Sequence, residues 1–344
     1  MRILAIVKLY AHKNRAGGEL YLHHLLKKIK THDISVIIPD CKEIKQYEYE
    51  GIKIFETNET NFLEYIDGCD ILISQLDFAP ITLDYAIKKN KRCMLILHCY
   101  VPDLERFIYN ENVLKIFNSK YVVDCALRNN KFKKIDNYKI IFPYTDFEKY
   151  SSYFDKKLDS REYITLINPS RSKGGDVFVE LIKKYPERKF MVVVGGYYPH
   201  LQDLGRFKKF SNCHIQENTP DIIKDVYLKS RIVLMSSRYE TYGMVASECR
   251  AMGLPCIINK NTEGLLENMG KIGLYAFTPL EDATQDNIET YSNLIEVLDH
   301  KPTYILWSDY LISQGFSNNE SINITKNIAD SFGKGKAKKI KPTI

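Results

Sequence analysis

Ser236-Ser237-Arg238-Tyr239-Glu240-Thr241-Tyr242-Gly243-Met244-Val245-Ala246-Ser247-Glu248 is the stretch whose reading decides the fold. It follows a short apolar run, Ile232 to Met235, that reads as a buried parallel strand. It leads into a helix that ends at Gly253, and a second apolar run, Leu254 to Ile258, follows at once. Strand, polar turn, helix and strand within so short a span predict a βαβ unit. Ligands of open α/β sheets sit at the carboxyl ends of such strands. Two carboxylates flank the helix start, Glu240 in the turn and Glu248 well inside the helix. Between them, Gly243 lets backbone amides approach an anion at the helix N-terminus. A diphosphate suits that place.

Upstream, Tyr163 to Ile167 opens the same α/β half. Its strand-to-helix loop, Asn168-Pro169-Ser170-Arg171-Ser172-Lys173-Gly174-Gly175-Asp176, places two cations and two glycines above the sheet. Arg171 and Lys173, facing a second loop built for an anion, are candidate phosphate clamps. Phe190 to Val194 is the next strand, closed by Gly195-Gly196. Cys213 to Gln216 reads as a short edge strand, and Ile222, Ile223, Val226 and Tyr227 as a helix before Ile232. Helical spacing returns around Thr290 to Val297 and Ile322 to Phe332.

The N-terminal half repeats the alternation of apolar and polar-helical runs: Ile3 to Lys8, Ser35 to Ile38, Ile52 to Phe55, Ile71 to Ser74 and Cys93 to Leu97. Tyr121 to Val123 and Ile140 to Phe142 read as its last strands. The pattern predicts a mainly parallel sheet. Gly17-Gly18 lies between the first strand and a helix, where backbone can pass close to a ligand. The spacing is not that of a dinucleotide fingerprint, which argues against an oxidoreductase. His98 stands directly after an apolar strand, where functional residues of such folds collect.

At 344 residues the chain suggests two domains. The expected division is an N-terminal domain over 1–147, a polar linker over 148–161 and a C-terminal domain over 162–302. A helical segment over 303–332, expected to pack back toward the N-terminal domain, and a basic tail over 333–344 complete it. No apolar run approaches the roughly 20 residues that span a bilayer, and the first strand is too short for a signal peptide. Eight scattered cysteines without a CxxC pair point to reduced thiols, hence a cytoplasmic protein, and away from a zinc site. The net charge of +6 is modest, and no nucleic-acid recognition motif accompanies it. Lys27, Lys28 and Lys30 beside the apolar face of the first helix leave peripheral contact with an anionic membrane as a separate expectation.

Taken together, these residues resemble retaining glycosyltransferases of the GT-B architecture, specifically family 4, the glycosyltransferase group 1 type. The match is strongest from Tyr163 to Leu274: the loop ending in Lys173-Gly174, the strand and glycine turn from Phe190 to Gly196, and the Glu-x7-Glu pattern of Glu240 and Glu248. The resemblance implies an α/β fold of two Rossmann-like α/β/α domains facing each other across a cleft. It implies catalytic roles for Glu240, His98 and Lys173. Lys173 and Arg171 neutralise the donor diphosphate; the loop is shorter than usual between them, which favours Lys173. Backbone amides of Thr241, Tyr242, Gly243, Met244 and Val245 hold the distal phosphate, and Glu248 accepts from the ribose hydroxyls. Gly17 and Gly18 close on the phosphates, Gly196 lines the donor site, Glu240 binds the sugar and His98 contacts it. No metal or cofactor is implied. The donor expected is a UDP- or GDP-sugar, and the acceptor a glycan, lipid or small molecule. The alternatives are a non-catalytic nucleotide- or partner-binding module and a sugar-nucleotide epimerase of the same architecture.

Overall fold

The computed structural model describes residues 1–300 apart from 12, 14–15, 30–31, 40, 59–61, 130–133, 154–160, 197–201, 270–273, 277 and 279–283. The expected helical segment over 303–332 and the tail over 333–344 lie outside the described residues, as does Lys30. The chain divides between Tyr144 and Thr145 into two α/β units.

The first unit holds strands β1 (Arg2–Ile6), β2 (Asp33–Ile38), β3 (Lys45–Tyr49), β4 (Ile52–Glu56), β5 (Ile71–Gln75), β6 (Arg92–Leu97), β7 (Val113–Phe117) and β8 (Tyr138–Ile140). Its helices are α1 (Gly17–Lys28), α2 (Glu64–Asp67), α3 (Ala79–Lys88), α4 (Glu105–Ile108) and α5 (Lys120–Asn129). The strands form one sheet in the order β3-β4-β2-β1-β5-β6-β7-β8. Every pairing is parallel except the β3–β4 hairpin. Side chains alternate between faces, as the pleat demands. Ile3 and Ala5 of β1 enter one buried cluster with Leu22 and Leu26 of α1, while Leu4 and Ile6 enter another with Leu83 and Phe117. A sheet buried on both faces explains why its inner strands read as continuous apolar runs.

Two expectations fail here. Tyr121 to Val123 is not a strand but the first turn of α5, where the Ser119 hydroxyl accepts the Val122 N–H at 3.3 Å and caps the helix. The strand is β7 instead, whose Val-Leu-Lys-Ile-Phe run is interrupted by a charge. Lys115 is fully buried; its Nζ donates to the Asn110 carbonyl at 2.9 Å, and burial pulls its pKa down to about 8. β8 stops at Ile140, and Phe142 is exposed.

The second unit holds β9 (Tyr163–Ile167), β10 (Lys189–Val193), β11 (Cys213–Gln216), β12 (Ser230–Met235), β13 (Cys256–Asn259) and β14 (Leu274–Ala276). Its helices are α6 (Phe147–Ser151), α7 (Gly175–Lys184), α8 (Gly205–Lys208), α9 (Met244–Met252), α10 (Glu263–Met269) and α11 (Gln285–His300), with a π turn at Ile223–Tyr227. The wholly parallel sheet runs β11-β10-β9-β12-β13-β14, with β11 at the edge. Ile164, Leu166, Ile232 and Leu234 bury on the face covered by α7 and α11. Val233 and Met235 bury on the other, with Ala246 and Cys249 of α9. The stretch 148–161 contains part of a helix: α6, capped by Asp146 through the Lys149 N–H at 3.1 Å, packs against α9 within this unit.

Candidate functional site

In the second sheet, β9 leads outward through β10 to β11, and β12 leads the opposite way through β13 to β14. The order therefore reverses between β9 and β12, and a crevice opens where the loops after two such neighbouring strands diverge. Those loops are 168–174 and 236–243, the two that carry Lys173 and Glu240.

They are locked together. Gly174 takes φ +81°, and a Cβ there would stand 2.1 Å from the Ser236 Oγ. Only glycine fits the conformation and the space. The Ser236 hydroxyl donates to the Lys173 carbonyl at 3.2 Å, and the Arg238 N–H to the Ser172 carbonyl at 2.9 Å. The Arg238 guanidinium reaches back across both loops. It donates to the Arg171 carbonyl at 2.5 Å and forks onto the Asp176 carboxylate at 2.8 and 2.7 Å. The pair is 9% and 18% exposed. Burial works against the Asp176 charge, but the Arg238 fork outweighs it and holds the carboxyl below its ordinary range.

This support sets Lys173 Nζ 2.5 Å from Glu240 Oε1, with the Ser237 hydroxyl donating to the same oxygen at 3.1 Å. The two side chains keep 27% and 16% of their surface in solvent. Arg171 lies on the exposed side of the loop.

The Glu240 turn is also backed from β13 and α10. Asn259 Nδ2 and the Thr262 hydroxyl donate to the Ser237 carbonyl at 3.0 and 2.7 Å. A Cβ on Gly264 would fall 2.3 Å from the Glu240 carbonyl oxygen, so α10 packs backbone to backbone on the turn. Asn268 Nδ2 donates to the Tyr242 and Gly243 carbonyls at 3.0 and 2.8 Å. The turn ends at Gly243 (φ +83°), and α9 begins at Met244. Ala246 N–H closes the first turn on the Gly243 carbonyl at 3.0 Å. Earlier amides of a helix have no intrahelical acceptor, and the positive end of the helix dipole lies there. Met244 and Val245, at the start of α9, lie in that first turn, four and five residues after Glu240.

Glu248 is carried one turn further along α9, facing the Tyr227 hydroxyl, which donates to Oε2, and the Tyr150 hydroxyl. Burial pushes its carboxyl pKa up, and the neighbouring Tyr227 and Tyr150 hydroxyls oppose that. Gly196 is exposed at the end of β10, while the amide of its neighbour Gly195 donates to Gln202 Oε1 at 2.9 Å.

The first sheet has its own reversal, between β1 and β5. Gly17 and Gly18 begin α1 after β1, and His98 follows β6. A Cβ on Gly18 would lie 3.5 Å from the His98 ring, Tyr21 meets that ring edge-on at 5.2 Å, and Gln75 Oε1 is 2.7 Å from Nε2. Burial pulls the His98 pKa down to about 4, so the ring is neutral near pH 7. On the same unit Lys27 pairs with Glu50, and Lys28 stands 4.5 Å over the Tyr144 ring.

The structure thus brings Lys173, Glu240 and the start of α9 together in one unit, and Gly18 with His98 in the other. Sequence reasoning missed Asp176, Arg238, Asn259, Asn268, Gln75 and Tyr150. Asn259 carried a usable signal, since it ends a strand of the same sheet. Tyr150 carried none, standing in a stretch without periodicity. Among the described residues no group of three or more His, Cys, Asp or Glu is placed to hold a metal ion, and no helix is long and apolar enough to cross a membrane.

Residues 163–296 match the family described as glycosyl transferases group 1. The matched residues all lie in the second unit. Solved structures resemble the chain over nearly its whole length. A glycosyltransferase from Rickettsia africae superposes with a TM-score of 0.70 at 17% identity, covering 97% of this chain and 99% of that one. Anabaena HepE in complex with UDP-glucose gives 0.74 at 16%, covering 96% and 100%. Sucrose-phosphate synthase from Thermosynechococcus elongatus gives 0.68 at 15%, covering 97% and 98%. The shared fold is GT-B. A comparison with curated protein sequences gave no match.

Proposed function

We propose that the protein is a retaining, metal-independent glycosyltransferase that moves a sugar from a nucleotide-diphosphate sugar to a glycan, lipid or small-molecule acceptor. The observation that carries this reading is the placement of Lys173 and Glu240, 2.5 Å apart, beside the N-terminus of α9. Breaking an anomeric bond leaves a diphosphate with growing negative charge and a sugar of oxocarbenium character. Lys173 and the α9 amides stabilise the first, and the Glu240 carboxylate meets the second. Because Arg238, Asp176 and Ser236 fix these groups in advance, little reorganisation accompanies charge development. The complex of HepE with UDP-glucose supports a uridine donor. In this proposal Gly17, Gly18 and His98 keep the phosphate and sugar roles that the resemblance implies. His98, being neutral, contributes a hydrogen bond rather than a charge.

The test is transfer or hydrolysis from a panel of UDP-, GDP- and ADP-sugars by wild type, Lys173→Ala and Glu240→Ala. Turnover is expected to fall by about 100-fold or more in each variant, the scale for losing one preorganised electrostatic group. Unchanged turnover in both overturns the assignment. Donor binding in calorimetry without transfer or hydrolysis over a broad acceptor set points instead to a non-catalytic module.

A further inference from the structure

Glu248 does not stand alone on α9. The Tyr227 hydroxyl, from the π turn before β12, donates to its Oε2, and Tyr150, from α6, stands beside the same carboxyl group. The two rings pack 6.3 Å apart at 57°, Tyr227 fully buried and Tyr150 half-buried. Burial and the adjoining Glu248 raise the pKa of both phenols, so both remain donors across the working pH range. The other groups facing this carboxyl are Lys149 on α6 and, next to it, the Cys249 thiol. Cys249 in turn meets the Cys256 thiol of β13 and feels the Arg161 charge.

A carboxylate has about four lone-pair positions. With one filled by the buried Tyr227 hydroxyl, whose ring is backed by Tyr150, the carboxyl has little freedom to turn, and acceptor positions remain for a ligand. Two adjacent acceptor positions match a vicinal diol. We propose that Tyr227, backed by Tyr150, is a positioning residue that orients Glu248 as the acceptor of a nucleotide's ribose hydroxyls. This rests on the nucleotide-sugar reading of the site. Tyr150 gives the proposal its particular content, since it comes from α6, at the beginning of the second unit. Ribose recognition thereby depends on a helix remote in sequence from the Glu-x7-Glu stretch.

The experiment is calorimetry of UDP, GDP and ADP, each against its 2′-deoxy analogue, from pH 5 to 8, with wild type, Tyr150→Phe, Tyr227→Phe and Glu248→Ala. Wild type should prefer the ribonucleotide. Tyr227→Phe should weaken the tightest ribonucleotide by about tenfold, the scale of one hydrogen bond to a charged group, and Tyr150→Phe by about twofold to fivefold. The deoxy analogue should change by less than about twofold, so the preference collapses. The acid-side loss of ribonucleotide affinity should also move to higher pH, because a carboxyl deprived of a donor protonates more readily. If both nucleotides weaken together and the acid limb stays in place, the tyrosines only support the fold, and the proposal is overturned while the ribose role of Glu248 survives. If Glu248→Ala keeps the ribose preference, or no nucleotide binds, the underlying reading falls and the proposal with it. Thermal melting checks folding, and Tyr150→Phe, on a short helix near the surface, serves if Tyr227→Phe fails to fold.

Discussion

The two sheets reverse their strand order at corresponding points, yet they dress that point with different chemistry. At the β1–β5 reversal the buried groups around His98 are neutral, with Gln75 bonding the ring under Gly18 and against Tyr21, and the charges, Lys8 and Asp77, pair 2.9 Å apart in solvent. At the β9–β12 reversal the groups are charged, with Lys173 on Glu240 and Arg238 forked onto Asp176. One backbone plan serves both. A neutral, desolvated pocket discriminates by hydrogen-bond geometry, whereas a charged and partly hydrated one accommodates a change in ligand charge. The difference teaches that topology locates a site but the side chains at the strand ends decide what it can do.

Breaking the charged support should have the largest effect. Arg238→Ala leaves Asp176 without its fork in a mostly buried place and should cost about 3–5 kcal/mol of unfolding free energy. Chemical denaturation measures it, and the double variant Arg238→Met, Asp176→Leu should recover most of the loss. A second variant without added loss would show that the two loops are held by backbone bonds alone.

The neutral pocket should reveal itself through pH. His98 has a folded-state pKa of about 4 against 6.5 for the ordinary group. The unfolded chain therefore takes up the proton first as pH falls, and stability is lost progressively from about pH 6.5 down to about pH 4, by at most about 3 kcal/mol. Urea titrations at pH 7 and 4.5 should show the loss in wild type and a smaller one in His98→Gln. Equal slopes would place the titration elsewhere.

The smallest effect sharpens the comparison from the side of the second unit. Asn268→Leu removes donors to the Tyr242 and Gly243 carbonyls, at a cost of about 1–3 kcal/mol. Because those carbonyls hold the start of α9, donor affinity should weaken alongside stability, which calorimetry with UDP can follow.

Much of this architecture is legible in the sequence, because parallel strands buried on both faces spell themselves as apolar runs and the glycines mark where loops meet. The β9 and β11 boundaries and the helix ending at Gly253 could be read in that way. β7 could not, since Lys115 breaks its run and is reconciled with burial only by the Asn110 carbonyl. Nor could β3, whose polar Lys-Gln-Tyr-Glu-Tyr has no apolar run and sets only Tyr47 and Tyr49, each partly buried, against the core. Lys173 and Glu240 were visible as types at strand ends. Their common support was not: Arg238 lies inside the very stretch that was read, but its partner Asp176 is 62 residues away, and no local pattern announces such a pairing.

The meeting of Gly174 with Ser236 has a further consequence for how this protein can change. A gap of 2.1 Å between a would-be Cβ and the serine oxygen leaves no tolerance, so the loops 168–174 and 236–243 behave as a single heritable part. Transplanting either one from a relative would bring a shape cut to a different partner. Any alteration of the β9–β12 crevice, by natural drift or by recombination, has to move both loops at once or work through the residues around them.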